Sequence, residues 1–589
     1  MKQNTPVKKK LKKGTLSRVL KYVGRYPFSL TGALLFAVLS VVAMLFVPVY
    51  FGEAVDCIVE YGVAWQELKA IFVKVGVCIA VASLSQWLLS LCNNRMSCQV
   101  VRDMRKDAFY KIGALPLQYI DTHAHGDLVS RVVADADQFS DGLLLGFTQF
   151  FTGAITILGT VVFMLVTNFK LGLIVVLASP LSLIVAKFVA SHTHKYFVEQ
   201  TQTRGMQTAF MEEAIGGLKT VKAFGHEDEN QEEFEKINAK LEKSTMNATF
   251  YSSLTNPSTR FINNLIYALV AFVGAFDVVF GRTFRLGGLF TVGDWTKFLT
   301  YANQYTKPFN EISGVVAELK GALTCAERIF ELIDEQEQPS DEGLKTLAVQ
   351  EGVVELENVE FSYAKDKELI KNLSLRAEKG QRIAIVGRTG SGKTTLINLL
   401  MRFYDVDDGA VKVDGEDVRT VTRNSLRTQH GMVLQETWLK NGTVRENLKL
   451  GKPDATDEEM ITACKSAHAH GFIKRMKHGY DTVLSDGGAL SEGQKQLLCI
   501  ARIMLTKPPM LILDEATSSI DTRTELKISD AFQTLMEGRT SFVVAHRLST
   551  IVGADKILVM DGGKVVEQGT HTELLSQNGV YKTLYTALE

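Results

Sequence analysis

Gly387, Arg388, Thr389, Gly390, Ser391, Gly392, Lys393, Thr394 and Thr395 fit the phosphate-binding pattern G-x-x-x-x-G-K-[ST] with no position missing. Glycines in such a loop let backbone N–H groups approach phosphates, and the helix that follows adds the positive end of its dipole. Lys393 would supply a point charge for the β- and γ-phosphates, and the Thr394 hydroxyl a Mg²⁺ ligand. About 120 residues later, Met510, Leu511, Ile512 and Leu513 run into Asp514 and Glu515. Four apolar residues ending in two carboxylates read as a buried strand that delivers a Mg²⁺ ligand, Asp514, and a general base for the attacking water, Glu515. A strand ending in Asp-Glu is common by itself; a complete phosphate-binding loop upstream gives it meaning. The chemistry these residues predict is the binding and hydrolysis of a nucleotide with Mg²⁺.

The loop requires a strand before it and a helix after it. Ile383, Ala384, Ile385 and Val386 supply the buried strand, and Leu396, Ile397, Asn398, Leu399 and Leu400 begin the helix. From Val353 to the C-terminus short strands alternate with helices, with Val354, Leu356, Val359, Phe361 and Tyr363 first, so residues 352–589 read as an α/β ATPase domain. The preceding stretch, 332–351, is rich in Asp, Glu, Gln, Pro and Ser and reads as a linker.

The first half differs in kind. A chain of 589 residues is too long for one core, and its 46% apolar content is concentrated before residue 331. Five apolar segments, at about 29–51, 69–91, 143–166, 171–190 and 261–281, approach the ~20 residues that cross a hydrocarbon core. A sixth, about 287–318, is interrupted by Asp294, Lys297, Asn303, Gln304, Lys307 and Asn310. Parity favours it, because only an even number of crossings leaves the basic N-terminus and the ATPase on one side. Residues 28–331 therefore read as a six-span helical transmembrane domain. Its connections at 92–142 and 191–260 are long, hydrophilic and basic, as cytoplasmic segments are. A descending helical stretch of about 25 residues would project roughly 35–40 Å beyond the membrane, far enough to reach a cytoplasmic ATPase.

Residues 1–27 contain no Asp or Glu and carry Lys8, Lys9, Lys10, Lys12, Lys13, Arg18, Lys21 and Arg25. Leu16, Val19, Leu20 and Val23 recur at helical spacing before Pro27, the pattern of an amphipathic helix lying on the cytoplasmic membrane surface; a disordered basic tail is the alternative. The localisation that follows is a multi-pass cell-membrane protein with both termini and the ATPase in the cytoplasm. Net charge is +0, which gives no electrostatic case for a nucleic-acid partner. The seven cysteines include no C-x-x-C pair, so neither a disulfide framework nor a zinc site is indicated.

Between the two nucleotide motifs lies Ala489-Leu490-Ser491-Glu492-Gly493-Gln494-Lys495-Gln496, preceded by Gly487-Gly488. It resembles the signature segment of the ATP-binding-cassette family, whose usual form is L-S-G-G-Q. Other landmarks of that family fall in order. Tyr363 resembles the aromatic that stacks on adenine, and Gln435, in Val433-Leu434-Gln435-Glu436-Thr437, the glutamine loop that contributes to catalysis and Mg²⁺ binding. Ser518-Ser519-Ile520-Asp521 resembles the D-loop, and His546, in Ala545-His546-Arg547-Leu548, the switch histidine. Taken singly, Tyr363, Gln435 and His546 have plain readings as a strand aromatic, a solvated loop residue and a structural histidine.

The resemblance extends to the spans. Six spans ahead of one cassette, with two long arms, are similar to the exporter branch, in which half-transporters pair and each ATP lies between one chain's P-loop and the other's signature. Ser491, Gly493 and Gln494 would then bind the partner's nucleotide. Tyr119 to Asp127 looks like part of the first coupling segment, Ile215 to Phe224 lies in the second arm, and Tyr480 to Gly488 resembles the segment that follows arm movement. The implied substrates are hydrophobic or amphipathic small molecules moved by alternating access, with membrane lipid around the spans. A lipid flippase, or an ATP-gated regulatory membrane protein, are the other classes. Asn263, Asn264, Tyr267, Tyr301, Gln304 and Tyr305 would line a cavity or simply pack the helices, and Lys74 and Asp277 would pair at an outer gate or snorkel to headgroups.

The chain departs from the family pattern at Glu492, which stands where the first signature glycine usually is. Two negative charges about 4 Å apart repel by roughly 4 kcal/mol at an effective dielectric near 20. This suggests a heterodimer in which the site capped by Glu492 works slowly and this chain's own P-loop serves the productive site; a homodimer tolerating Glu492 is the alternative.

Overall fold

The computed structural model describes residues 14–61, 65–280, 290–363, 369–434, 437–484, 490–514, 520–545 and 548–588. It divides into two compact units: residues up to Ala114 together with Ala124–Gln336, and Leu115–His123 together with Glu337–Glu589.

The first unit is helical. The short helix α1 (Thr15–Val23) leads into α2 (Pro27–Tyr61) and α3 (Trp65–Ala114). After the segment that holds α4 (Leu117–Thr122) come α5 (His125–Val132), α6 (Ala134–Thr167), α7 (Phe169–Gly216), α8 (Leu218–Phe224), α9 (Glu227–Ser253), α10 (Thr255–Val279) and α11 (Val292–Ile333). Among the described residues four helical stretches are long and apolar enough to cross a membrane: Pro27–Ile58, Trp65–Ala114, His125–Thr167 and Glu227–Val279. The other two expected spans fall in α7, whose apolar part Phe169–Leu181 is shorter, and in the more polar α11. Large apolar side chains such as Phe72, Val73, Leu158, Leu177 and Phe272 point outward along these helices, as lipid-facing residues do.

Helix α1 buries Val19, Tyr22 and Val23 and exposes Leu16 and Leu20, so its two apolar edges face different surroundings. Tyr22 stacks on Phe330 near the end of α11, and its hydroxyl donates to Asp107 at 2.6 Å. Arg18 lies over the same Phe330 ring and pairs with Asp334. Arg18 and Tyr22 thus tie α1 to α3 and to the end of α11.

Of the two readings of Lys74 and Asp277, their pairing at an outer gate does not occur. Buried Asp277 has Lys170 at 3.7 Å instead, and the Lys74 ammonium sits 5.5 Å above the Tyr50 ring. Hydropathy places both residues near the outer ends of their spans but carries no information about which face each presents. At the N-terminus of α11, Asp56 accepts from the Thr291 hydroxyl at 2.9 Å and the Gly293 amide at 2.6 Å, while Lys297 donates to buried Asp294 at 2.9 Å. Asp294 and Lys297, two of the charges that interrupt the sixth apolar segment, are thus paired with each other. Tyr301, fully buried, donates to the Leu45 carbonyl at 2.6 Å, a packing role in place of a cavity-lining one.

The second unit carries the strands β1 (Val354–Phe361), β2 (Ile370–Ala377), β3 (Arg382–Gly387), β4 (Asp408–Val413), β5 (Glu416–Asp417), β6 (His430–Val433), β7 (Gly442–Thr443), β8 (Val483–Leu484), β9 (Met510–Asp514), β10 (Thr540–Val544), β11 (Lys556–Asp561) and β12 (Lys564–Gly569). The six-stranded sheet has the order β12-β11-β3-β10-β9-β6, parallel except for β12 at its edge. A four-stranded antiparallel sheet, β2-β1-β4-β5, shares one core with it and with α12 (Lys393–Leu400). The run Arg382–Gly387 is buried through its middle, which is why Ile383 to Val386 read as continuous apolar sequence without alternation.

Candidate nucleotide site

The parallel sheet assembles the chemistry by register. β10 lies between β3 and β9, and its Val544 pairs with Ile385 on one side and Asp514 on the other. Asp514 therefore stands level with Ile385, two residues before the end of β3 and two strand spacings, or about 9–10 Å, away. Beyond β3 the chain turns through Gly390 (φ 81°) and Gly392 (φ 100°), left-handed conformations that glycine adopts without steric cost. α12 then starts with Gly392 at its N-cap and no capping side chain, leaving its first amide groups to an outside acceptor.

Three observations show that the loop fits a polyphosphate. The buried Ser391 hydroxyl has no hydrogen-bond partner among the described residues. A Cβ at Gly390 would meet nothing within 4 Å, so the loop is open on that side. Among the described residues the Lys393 ammonium donates to the loop's own carbonyls, of Gly387 at 2.8 Å and Arg388 at 3.0 Å. Burial lowers the Lys393 pKa, an effect partly offset by the charge of Asp514. A partly desolvated cation aimed along a ring of backbone donors is suited to phosphate oxygens. Of the remaining loop residues, Thr395 is buried and Arg388, Thr389 and Thr394 lie along the rim and the first helical turn.

The turn that closes over this loop escaped sequence reading. Gly562 and Gly563 connect β11 to β12 with φ of 51° and 78°. The Gly563 amide donates to the Ser391 carbonyl at 3.2 Å, and its own carbonyl accepts from the Lys371 amide at 3.1 Å. A Cβ at Gly563 would lie 1.4 Å from the Leu369 carbonyl oxygen. Gly563→Ala is therefore expected to destabilise the second unit by about 2–4 kcal/mol, combining a strained φ with overpacking, and to weaken ATP binding. Thermal unfolding and nucleotide titration of the full chain check both. The only signal in the sequence is the Gly-Gly pair, which also marks countless ordinary turns.

Tyr363 is 38% exposed, and its hydroxyl accepts from Asn398 Nδ2 of α12 at 3.1 Å, which ties the aromatic to the phosphate loop's helix. Gln435, Glu515 and His546 lie outside the described residues, as do Gly487, Gly488, Ala489, Ser518 and Ser519. The signature residues are described from Leu490 onward. Ser491 caps the helix Glu492–Thr506 in a reciprocal box: its hydroxyl accepts from the Gln494 amide at 3.3 Å, and the Gln494 side chain accepts from the Ser491 amide at 3.1 Å. Gly493 is buried, and a Cβ there would come within 2.5 Å of Thr524 on the helix Thr522–Met536, so close helix packing alone explains this glycine.

Glu492 is turned aside. Its carboxylate accepts from Lys495 Nζ at 2.8 Å and from the Thr437 hydroxyl at 3.3 Å. The Lys495 hydrogen bond, the largest influence, holds the Glu492 pKa below the ordinary carboxylate value. With its side chain 62% exposed and a cation beside it, the charge repels a nearby phosphate less than the bare Coulomb figure suggests.

The signature helix and the P-loop helix pack into different cores. Leu396, Ile397, Leu399 and Leu400 join the core shared by the two sheets. Leu497, Leu498, Ile500 and Ala501 join a second, mostly helical core with Met460, Cys464, Ile473 and Phe532.

Two family matches cover most of the chain. Residues 30–309 match the ABC transporter transmembrane region, and residues 370–518 match the family described as ABC transporter. The chain is 41% identical over 501 residues to a fatty acid ABC transporter ATP-binding/permease protein of Mycobacterium tuberculosis, spanning 85% of this chain and 78% of that one. It is 34% identical to a putative multidrug export ATP-binding/permease protein of Bacillus subtilis, over 97% of this chain and 99% of the relative. A solved structure of a bacterial Atm1-family ABC exporter with ATP bound aligns with a TM-score of 0.76 and 28% identity, covering 95% of this chain and 98% of that one.

Proposed function

Because the chain belongs to the ABC transporter family, with the transmembrane region and the ATPase of its exporters on one polypeptide, we propose that it is one half of a dimeric exporter of hydrophobic or amphipathic small molecules. The observation that carries this reading is the separation of its P-loop and signature helices into different cores. One chain offers two half-sites and needs a second chain to complete either. The exposed second coupling segment agrees with that need: α8 has no buried residue, and Ile215, Leu218 and Phe224 all face outward.

In this reading ATP and Mg²⁺, when bound, supply the phosphoanhydride and the charge that holds it. The chain's own residues do the rest. The amides and glycines of Gly387 to Thr395 cradle the phosphates, and Lys393 places a positive charge on them. Thr394, Gln435 and Asp514 hold the metal, Tyr363 stacks on the base, Glu515 accepts a proton from the attacking water, and His546 stabilises the reacting phosphate. Ser491, Gly493 and Gln494 present the signature surface to the partner's nucleotide. Closure of the two ATPases moves the arms, and the spans exchange inward-facing for outward-facing states in the cell membrane, with both termini cytoplasmic.

We favour a heterodimer, on the strength of Glu492, although its pairing with Lys495 softens the case. Reconstitution decides between the readings. The chain alone and the chain co-expressed with its genomic neighbour are placed in proteoliposomes, and ATP-driven uptake of an amphipathic dye is followed. Strong uptake only with the neighbour is expected. Vigorous coupled hydrolysis by the lone chain would overturn the heterodimer, and headgroup-selective stimulation by lipid without dye transport would favour a flippase.

A further inference from the structure

The segment Leu115–His123 interrupts the first unit in sequence but folds as part of the second. Leu117 is partly buried against the two-sheet core, and two hydrogen bonds tie α4 to Tyr363 and Tyr404. Gln118 Nε2 donates to the Tyr363 carbonyl at 3.3 Å. The Tyr404 hydroxyl donates to Asp121 at 2.5 Å, and the Tyr404 ring meets the Tyr363 ring edge-on, with centroids 5.0 Å apart at 87°. Phe361 meets both rings in the same manner, at 4.9 and 5.5 Å. Tyr404 is buried, and burial first, then the bond to Asp121, raises its pKa far enough that it remains a donor at any physiological pH.

Edge-on aromatic contacts are sensitive to tilt, and the energy of a ring stacked on another falls as the offset changes. Tyr404 has its hydroxyl fixed by a carboxylate and its ring wedged against Phe361, so it passes a displacement of Asp121 to Tyr363. We propose that Asp121 and Tyr404 are positioning residues for the nucleobase: through them the first cytoplasmic arm sets the tilt of the Tyr363 ring and thereby the affinity for ATP. By linkage the converse holds, and a base resting on Tyr363 biases the position of the arm segment. The inference rests on the reading of Tyr363 as the base-stacking residue.

The test uses the full-length protein in nanodiscs and two probes, ATP and inorganic tripolyphosphate, which lacks a base. Tyr404→Phe keeps the ring and removes the donor; Asp121→Ala removes the acceptor. Each is expected to weaken ATP binding about three- to tenfold, the scale of one hydrogen bond acting through a neighbour, and the double variant no more than either alone. Tripolyphosphate binding should be unchanged, and Asp121→Asn, whose amide oxygen still accepts, should bind ATP like the parent. In a Tyr363→Ala background Tyr404→Phe should have no further effect. Parallel loss of tripolyphosphate binding, additive effects, or an unchanged ATP affinity in Tyr404→Phe would each overturn the proposal. Tyr363→Ala with unaltered ATP affinity would instead sink the base-stacking reading itself, and the two failures are separable because only the second is visible without the arm variants.

Discussion

Glu515→Gln is expected to cut ATP turnover about 10²- to 10⁴-fold, the range for removing a positioned general base, with ATP affinity close to the parent's. The amide keeps the shape of the carboxylate and its ability to accept a hydrogen bond from water, but cannot take the proton. Its neighbour Asp514 ends β9, level in the sheet with Ile385 of β3, the strand that runs into the phosphate loop. Binding depends on the loop and on Lys393, which the substitution leaves alone. Phosphate release and equilibrium nucleotide binding, measured on the same sample, separate the two effects. Dye transport in proteoliposomes should disappear with hydrolysis. Near-normal turnover would remove Glu515 from the role of base and would favour the class in which ATP gates a membrane protein without driving transport.

Lys393→Ala should do the reverse and lose binding. Charge-assisted hydrogen bonds are each worth about 1.5–3 kcal/mol, and losing roughly 3 kcal/mol of phosphate contact weakens affinity on the order of 10²-fold. A second consequence follows from the direction of its pKa. Burial lowers the Lys393 value in the folded protein, so holding the charge costs stability at every pH below that lowered value, and the cost vanishes only above the ordinary lysine range. At neutral pH the nucleotide-free variant should therefore melt no lower than the parent, while the rise in Tm that ATP gives the parent should be absent. Thermal unfolding with and without ATP checks both statements; an undiminished ATP-dependent rise would show that the loop holds phosphate without its lysine.

The parts legible in the sequence were those whose chemistry is local. The phosphate loop is contiguous, its glycines sit where the backbone turns left-handed, and its flanking strand and helix carry unmistakable apolar runs. The transmembrane character of the first half was legible for the same reason. Long-range partners were not. Asn398 and Tyr404 touch Tyr363 and Asp121 holds Tyr404, yet nothing near residue 121 in the chain points to residue 404. Gly563 matters because Leu369 and Ser391 lie against it, and neither is its neighbour in sequence. Whether Asp277 meets Lys74 or another lysine was not legible, because hydropathy reports depth along a span and says nothing about rotation around it. Gly493 was read as part of the signature surface, and its close approach to Thr524 adds a packing role that periodicity cannot reveal.

The inclusion of Leu115–His123 in the second unit has a bearing on how the protein is made. Tyr404 follows Asp121 by 283 residues, and at roughly 5–20 residues per second of synthesis the α4 segment is complete about 15–60 s before its docking partner leaves the ribosome. During that interval Leu117 and the Asp121 carboxylate have no surface to settle on. Docking of this segment is thus deferred until the ATPase is made, and a ribosome that stalls before residue 404 leaves the segment undocked and open to proteolysis.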